Sequence, residues 1–178
     1  QFDFIFVDRE ELLIDDEAAV NAFFAAHRVN WCVNCAAYTA VDKAESETAV
    51  AMAVNGNAVG YLAAASKAAG AGFIHISTDY VFNGMASEPY QPNHPVDPVN
   101  AYGLTKLKGE ELAREKHPGS IIIRTSWVYS VFGNNFVKTM LRLMKEREHL
   151  NVVSDQVGCP TYAADLAAAI MHIISGSC

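Results

Sequence analysis

The sequence predicts an α/β protein built on a doubly wound parallel sheet, and three observations carry that prediction. Short apolar runs at residues 2–7, 31–36, 73–77 and 120–125 alternate with longer stretches patterned for helices, the order that produces parallel βαβ units. The run Ser120-Ile-Ile-Ile-Arg-Thr125 has no polar alternation across its isoleucines, as expected of a central strand covered on both faces. Finally, Ser77-Thr-Asp-Tyr-Val-Phe82 follows an apolar strand, at the strand end where open α/β sheets place their ligands.

Taken in order, Phe2-Asp-Phe-Ile-Phe-Val7 reads as a buried strand ending at Asp8-Arg9. Asp15 or Asp16 can cap a helix whose stripe is Ala19, Val20, Phe23 and Phe24. Trp31–Ala36 is a second strand, running into Ala37-Tyr38-Thr39. From about Glu45 to Ala69 a long alanine-rich helical stretch carries Ala49, Met52, Ala53 and Gly56 on one side, small enough to lie close against a sheet. Phe73–Ser77 is the third strand, with His75 packed between isoleucines. Pro89, Pro92, Pro95 and Pro98 make residues 83–100 a loop, and a loop this long in a compact domain is usually functional. Tyr102 opens a helix that reaches about Lys116 and stops at Pro118-Gly119. After the strand at 120–125 comes Ser126-Trp127-Val128-Tyr129. Gly133-Asn134-Asn135 then starts a helix with Val137, Met140, Leu141 and Met144 on one face, the asparagines reading equally as a cap or as substrate contacts. A short strand at Asn151–Ser154, a loop at 155–161 and a helix bearing Leu166, Ile170, Ile173 and Ile174 finish the chain.

Composition narrows the function. A formal charge of -7 disfavours nucleic acid or an anionic membrane surface as partner. No apolar run has membrane-spanning length and the first residues lack a signal-peptide pattern, so a cytoplasmic protein is expected. Of the cysteines at 32, 35, 159 and 178, the pair Cys32-Val-Asn-Cys35 has redox or zinc spacing. Inside a strand, however, i and i+3 face opposite ways, and no second pair or nearby histidine completes a metal site. These read as buried or incidental thiols, and no metal is expected.

The chemistry concentrates between Ser77 and Lys106. Tyr102 and Lys106, at i and i+4, share one helix face. An ammonium near a phenol favours the phenolate and lowers its pKa from roughly 10, giving a proton donor for neutral pH. Thr78 supplies a second hydroxyl at the strand end. A dinucleotide-binding sheet should also open with a strand and a glycine-rich turn that lets backbone approach a pyrophosphate. No such turn occurs here, so the expectation is a fragment lacking the first strand-turn-helix unit, about 30 residues.

Six blocks carry a resemblance: Asn34-Cys-Ala-Ala-Tyr-Thr-Ala-Val-Asp-Lys-Ala-Glu45, Ser77-Thr-Asp-Tyr-Val-Phe82, Tyr102-Gly-Leu-Thr-Lys106, Arg124-Thr-Ser-Trp-Val-Tyr129, Gly133-Asn-Asn-Phe136 and Asp155-Gln-Val-Gly-Cys-Pro-Thr161. In this order the chain resembles the dTDP-4-dehydrorhamnose reductase family of extended short-chain dehydrogenases/reductases. The resemblance implies a Rossmann-like fold over residues 1–178, with the substrate-binding part starting at about 127. It implies reduction of the C4 keto group of dTDP-4-dehydro-L-rhamnose with NADPH or NADH. Tyr102 resembles the family's proton donor and Lys106 the residue that holds the nicotinamide ribose. Thr78 is similar to the hydroxyl on the substrate carbonyl, and Asp79 and Trp127 to residues touching the deoxysugar. Ala37, Tyr38 and Thr39 match the backbone turn along the cofactor, braced by a helix asparagine that Asn55 resembles. Asp8 and Arg9 match the place where the adenosine ribose is read, Arg9 favouring a 2′-phosphate.

The chain departs from the family at Leu13, where an aspartate is usual, in lacking the glycine turn, and in ending at Cys178 before the substrate domain is complete. Such a fragment is expected to be inactive by itself. A homodimer is compatible with the resemblance. Two alternatives stay open: a non-catalytic regulatory subunit like the methionine adenosyltransferase beta subunit, and another nucleotide-sugar epimerase or reductase.

Overall fold

The structure is a computed structural model that describes residues 2–176. Its contacts divide the chain into two units, residues 1–124 and 125–178. Hydrogen-bonded strands follow one another in the order β1-β2-β3-β4: Trp31–Asn34, Gly72–Thr78, Ile121–Tyr129 and Pro160–Tyr162. Both registered pairs, β1–β2 and β3–β4, are parallel. The expected α/β class with a parallel sheet is what forms.

In the first unit, α1 (Glu17–Ala26) starts where Asp16 Oδ1 accepts the N–H groups of Ala18 and Ala19. Its Val20 enters a core with Val59, Leu62, Phe73 and Ala113, against which Phe23 and Phe24 pack. The alanine-rich stretch is not one helix from Glu45. It comprises α2 (Val41–Ala44), α3 (Thr48–Met52), a π turn (Ala53–Asn57) and α4 (Ala58–Ala68). Ser46 and Glu47 return their N–H groups to the Lys43 carbonyl, which ends α2. The wide turn at Asn55 then interrupts the later ladder, a feature common at functional sites. Helix α5 (Ala101–Lys116) packs on α4, the π turn and β2. Its small residues set the approach: a Cβ on Gly109 would meet the Asn55 carbonyl oxygen, and one on Gly103 the Tyr80 carbonyl oxygen.

Two strand expectations are overturned. Residues 2–7 form no strand, and Phe4 and Phe6 are 56% and 84% exposed. A strand exists only with a ladder partner and cover for its apolar face, and no described segment pairs with these residues. Likewise Asn151–Ser154 is irregular, with Val152 and Val153 exposed. The place beside the end of β3 is taken instead by Pro160–Tyr162, within the expected loop. Pro160 opens β4, where a proline's missing N–H costs no ladder bond.

Strand β3 also runs past the expected end at Thr125 to Tyr129. It is an inner strand as expected, yet its residues are half-buried or, at Trp127 and Val128, exposed, whereas β2 is buried along most of its length. Covering helices, not the apolar run alone, decide which strand is central. In the second unit, β4 pairs Ser126 with Pro160 and Tyr129 with Tyr162, the register slipping between them. Trp127 in that slip has φ +45°, uncommon for a bulky residue. Asn135 caps α6 (Phe136–Glu146) by accepting the Lys138 N–H. Helix α7 (Ala163–Ile174) follows β4 directly. Cys178 lies outside the described residues.

Candidate functional site

Helix α5 is aimed by its own first residues. Asn100 caps it, Oδ1 accepting the Gly103 N–H at 2.7 Å, and Glu45 accepts the Ala101 N–H at 2.8 Å. Tyr102, Lys106 and Glu110 then follow at one-turn intervals along the face turned to β2. Thr78 closes β2 and caps the 3₁₀ turn at Asp79–Val81, its Oγ1 accepting the Tyr80 N–H at 3.2 Å and donating to Asp79 at 3.2 Å. The Thr78 hydroxyl lies near enough to the Tyr102 phenol to pull its pKa down. The Tyr80 and Tyr102 rings meet edge-on at 5.5 Å. Thus the strand end and the helix start bring Thr78, Asp79 and Tyr102 together.

Lys106 is 2% exposed and donates to the Ile76 carbonyl at 2.7 Å, with His75 Nε2 at 3.3 Å. The expected lowering of the tyrosine pKa is not what this arrangement produces. Burial pushes Tyr102 above its ordinary value, as do Asp79 and Tyr80, while Thr78 pulls it down. Burial lowers Lys106 to about 8, against the opposing pull of Glu110 and Cys35. The lysine is itself desolvated, so its charge is the weaker lever. Asp79 is raised, chiefly by burial.

The turn Ala37-Tyr38-Thr39 leaves the end of β1 and is clamped by one side chain. Asn55 Oδ1 accepts the Tyr38 N–H at 2.8 Å, and its Nδ2 donates to the Tyr38 carbonyl at 3.1 Å. The same Nδ2 reaches Thr105 Oγ1 at 3.2 Å, so the π turn ties this backbone to α5. Asp8 and Arg9 lie in an exposed turn, Asp8 Oδ1 accepting the Glu10 N–H at 2.8 Å. Trp127 belongs to the second unit, 47% exposed, with Gly158 against its indole. Of the thiols, Cys32 is held up at about 11 by burial, while Cys35 is exposed just past β1.

The sequence reading missed a buried ion pair. Glu110, fully buried, accepts from Arg124 Nε at 2.9 Å and Nη2 at 2.7 Å, and from Ser77 Oγ at 2.7 Å. Arg124 also donates to the Pro92 carbonyl at 3.1 Å and lies 4.9 Å over the Phe82 ring, which stacks on Tyr90 at 4.3 Å. It therefore fastens the proline loop to the strand end. The signal was present: Glu110 stands one turn beyond Lys106, and a charged residue inside an apolar strand needs a partner.

The whole chain, residues 1–178, matches the family described as RmlD substrate binding domain. It is 44% identical over 174 residues to the spore coat polysaccharide biosynthesis protein SpsK of Bacillus subtilis, covering 98% of this chain and 62% of that protein. It is 52% identical over 143 residues to dTDP-4-dehydrorhamnose reductase of Burkholderia thailandensis, covering 80% and 48%. A solved dTDP-4-dehydrorhamnose reductase from Bacillus anthracis, in complex with NADP, superposes with TM-score 0.92 at 44% identity over 95% of this chain and 60% of that one. The chain thus spans about half to three-fifths of the length of these proteins. The blocks quoted above, the parallel sheet and the match along its full length agree, and the chain belongs to the RmlD substrate binding domain family.

Proposed function

We propose that the complete protein is an NAD(P)H-dependent nucleotide-sugar ketoreductase that converts dTDP-4-dehydro-L-rhamnose to dTDP-L-rhamnose. The observation that carries this reading is the pair of neighbouring hydroxyls, Thr78 and Tyr102, at the end of β2 with Lys106 one turn behind on α5. The name and bound NADP of the Bacillus anthracis relative support it. The donor set fits a nicotinamide nucleotide: a lysine amine for a ribose diol, and the Asn55-clamped turn at 37–39 for close backbone approach. When bound, the reduced nicotinamide supplies the hydride that no side chain can donate.

In this reading the residues divide the remaining work. Thr78 and Tyr102 donate to the carbonyl oxygen, interactions that strengthen as charge develops there. As C4 gains hydride, the oxygen takes the Tyr102 proton and the C–O double bond becomes an alcohol; the phenolate is then reprotonated from solvent. Burial keeps that phenol protonated until an oxyanion calls for its proton. Asp79 and Trp127 bind the deoxysugar, with the substrate-binding part starting at about residue 127. Asp8 and Arg9 read the adenosine ribose. A cytoplasmic homodimer completes the reading, tested by cell fractionation and sedimentation.

The direct test is NADPH oxidation by the complete protein with dTDP-4-dehydrorhamnose. Tyr102→Phe should lower kcat about 10²–10⁴-fold, the loss of a general acid, with an unchanged fold; near-normal turnover would remove Tyr102 from the chemistry. Arg9→Ala should weaken NADPH binding and leave NADH binding unaltered, as titration of both cofactors will show.

A further inference from the structure

Behind Lys106 lies a buried polar chain that the proposed reaction does not use. The parallel register sets Asn34 beside His75, and they are 4% and 0% exposed. The orientation of the Asn34 amide is determined by its neighbour: Oδ1 accepts the Ala36 N–H at 3.1 Å, which leaves Nδ2 facing His75 Nδ1 at 3.2 Å. An amide nitrogen only donates, so Nδ1 must be the bare, accepting nitrogen. A neutral imidazole then carries its proton on Nε2. That nitrogen stands 3.3 Å from Lys106 Nζ. An N–H aimed at nitrogen is satisfied by the lone pair of a neutral amine. It is opposed by an ammonium, which has three donors and no acceptor. One amine N–H goes to the Ile76 carbonyl, so both of these Nζ contacts are satisfied with the lysine uncharged.

We infer that Asn34 holds His75 in its Nε2–H tautomer when Lys106 is a neutral amine and that His75 thereby lowers the proton affinity of Lys106, making His75 a positioning residue for the lysine proton. Charging Lys106 requires His75 to move its proton to Nδ1, against the Asn34 NH₂ group. Four titratable groups surround the amine. Glu110 from α5 and Cys35 beyond β1 favour the ammonium, Tyr102 lies one turn back on α5, and His75 opposes. Burial and Lys106 together lower His75 to about 3, so it stays neutral at physiological pH. The consequence for catalysis rests on the reductase reading: a ribose diol at Nζ calls for the ammonium's donors, so binding of the nucleotide takes up a proton above about pH 8.

Nitrogen NMR of the histidines and Cε NMR of the lysines in the full chain test this, with Lys106→Met identifying the lysine signal. With Lys106 titrating at about 8, a bare Nδ1 and protonated Nε2 on His75 are expected at pH values above that midpoint. Asn34→Leu, which frees the tautomer, should raise the Lys106 midpoint by about one unit, a tenfold gain in proton affinity. A protonated Nδ1 in the parent above the Lys106 midpoint, or a Lys106 midpoint unmoved in a folded Asn34→Leu, overturns the inference. If Asn34→Leu does not fold, the parent tautomer alone decides. Failure to bind NADPH would defeat the reductase reading and leave the tautomer result standing.

Discussion

Arg124 and Glu110 form the most consequential side-chain pair outside the hydroxyls. The bidentate contact at 2.7 and 2.9 Å is charge-assisted, and Ser77 adds a third bond to the same carboxylate. Removing Arg124 leaves Glu110 only the longer ion pair to half-exposed Arg114 at 3.4 Å, and breaking a buried pair costs about 3–5 kcal/mol at most when the other charge is stranded. Arg124→Met should therefore destabilise the complete protein by that order in urea denaturation. The double variant Arg124→Met/Glu110→Gln should recover part of the loss. Equal losses in the single and double variants would mean that Glu110 is not left uncompensated. At this scale the sequence was partly readable. Tyr102 and Lys106 were found by spacing, but Glu110's bidentate partner lies fourteen residues away on another element, beside the longer i,i+4 pair to Arg114.

Among the elements, α5 controls the geometry of the candidate site. It carries Tyr102, Lys106 and Glu110, and it can approach the π turn only because Gly109 has no side chain. Gly109→Ala drives a Cβ into the Asn55 carbonyl oxygen. Overpacking of this kind typically costs about 1–3 kcal/mol. The displaced Asn55 should also release the Tyr38 turn, so the variant is expected to lose thermal stability and nicotinamide affinity together. Loss of stability with unchanged affinity would show that Asn55 does not transmit the shift. A helical pattern through residues 45–69 was legible from alanine content, but its break at Asn55 was not. The break depends on a side chain bonding backbone seventeen residues away.

For the whole molecule, the buried titratable groups give stability a worked-out pH dependence. His75 charges near 6.5 when unfolded but only at about 3 when folded. Between these values the unfolded chain binds more protons, so stability falls as pH falls through that window. Lys106 acts on the other side. Its ordinary value is 10.5 and its folded value about 8, so stability rises with pH above 8. Cys32 opposes this, because its thiol ionises at 9.0 unfolded and at about 11 folded, and stability is lost from 9 upward. Urea denaturation of the complete protein should therefore show a rise from pH 8 to 9 that then flattens or reverses. A steady decline across pH 8 to 9 would contradict a buried, easily deprotonated Lys106.

The sequence by itself determined the α/β class, the strand end at Thr78 and the helix register of Tyr102 and Lys106, because periodicity and caps act over a few residues. Tertiary structure decided the rest. It left residues 2–7 without a ladder partner, moved the last strand from 151–154 to 160–162, and buried β2 more deeply than the more apolar β3. It also reversed the expected shift of the tyrosine, because burial acted on phenol and lysine alike. Each of these depends on which distant groups share a low-dielectric interior or a free strand edge. Spacing along the chain does not encode that.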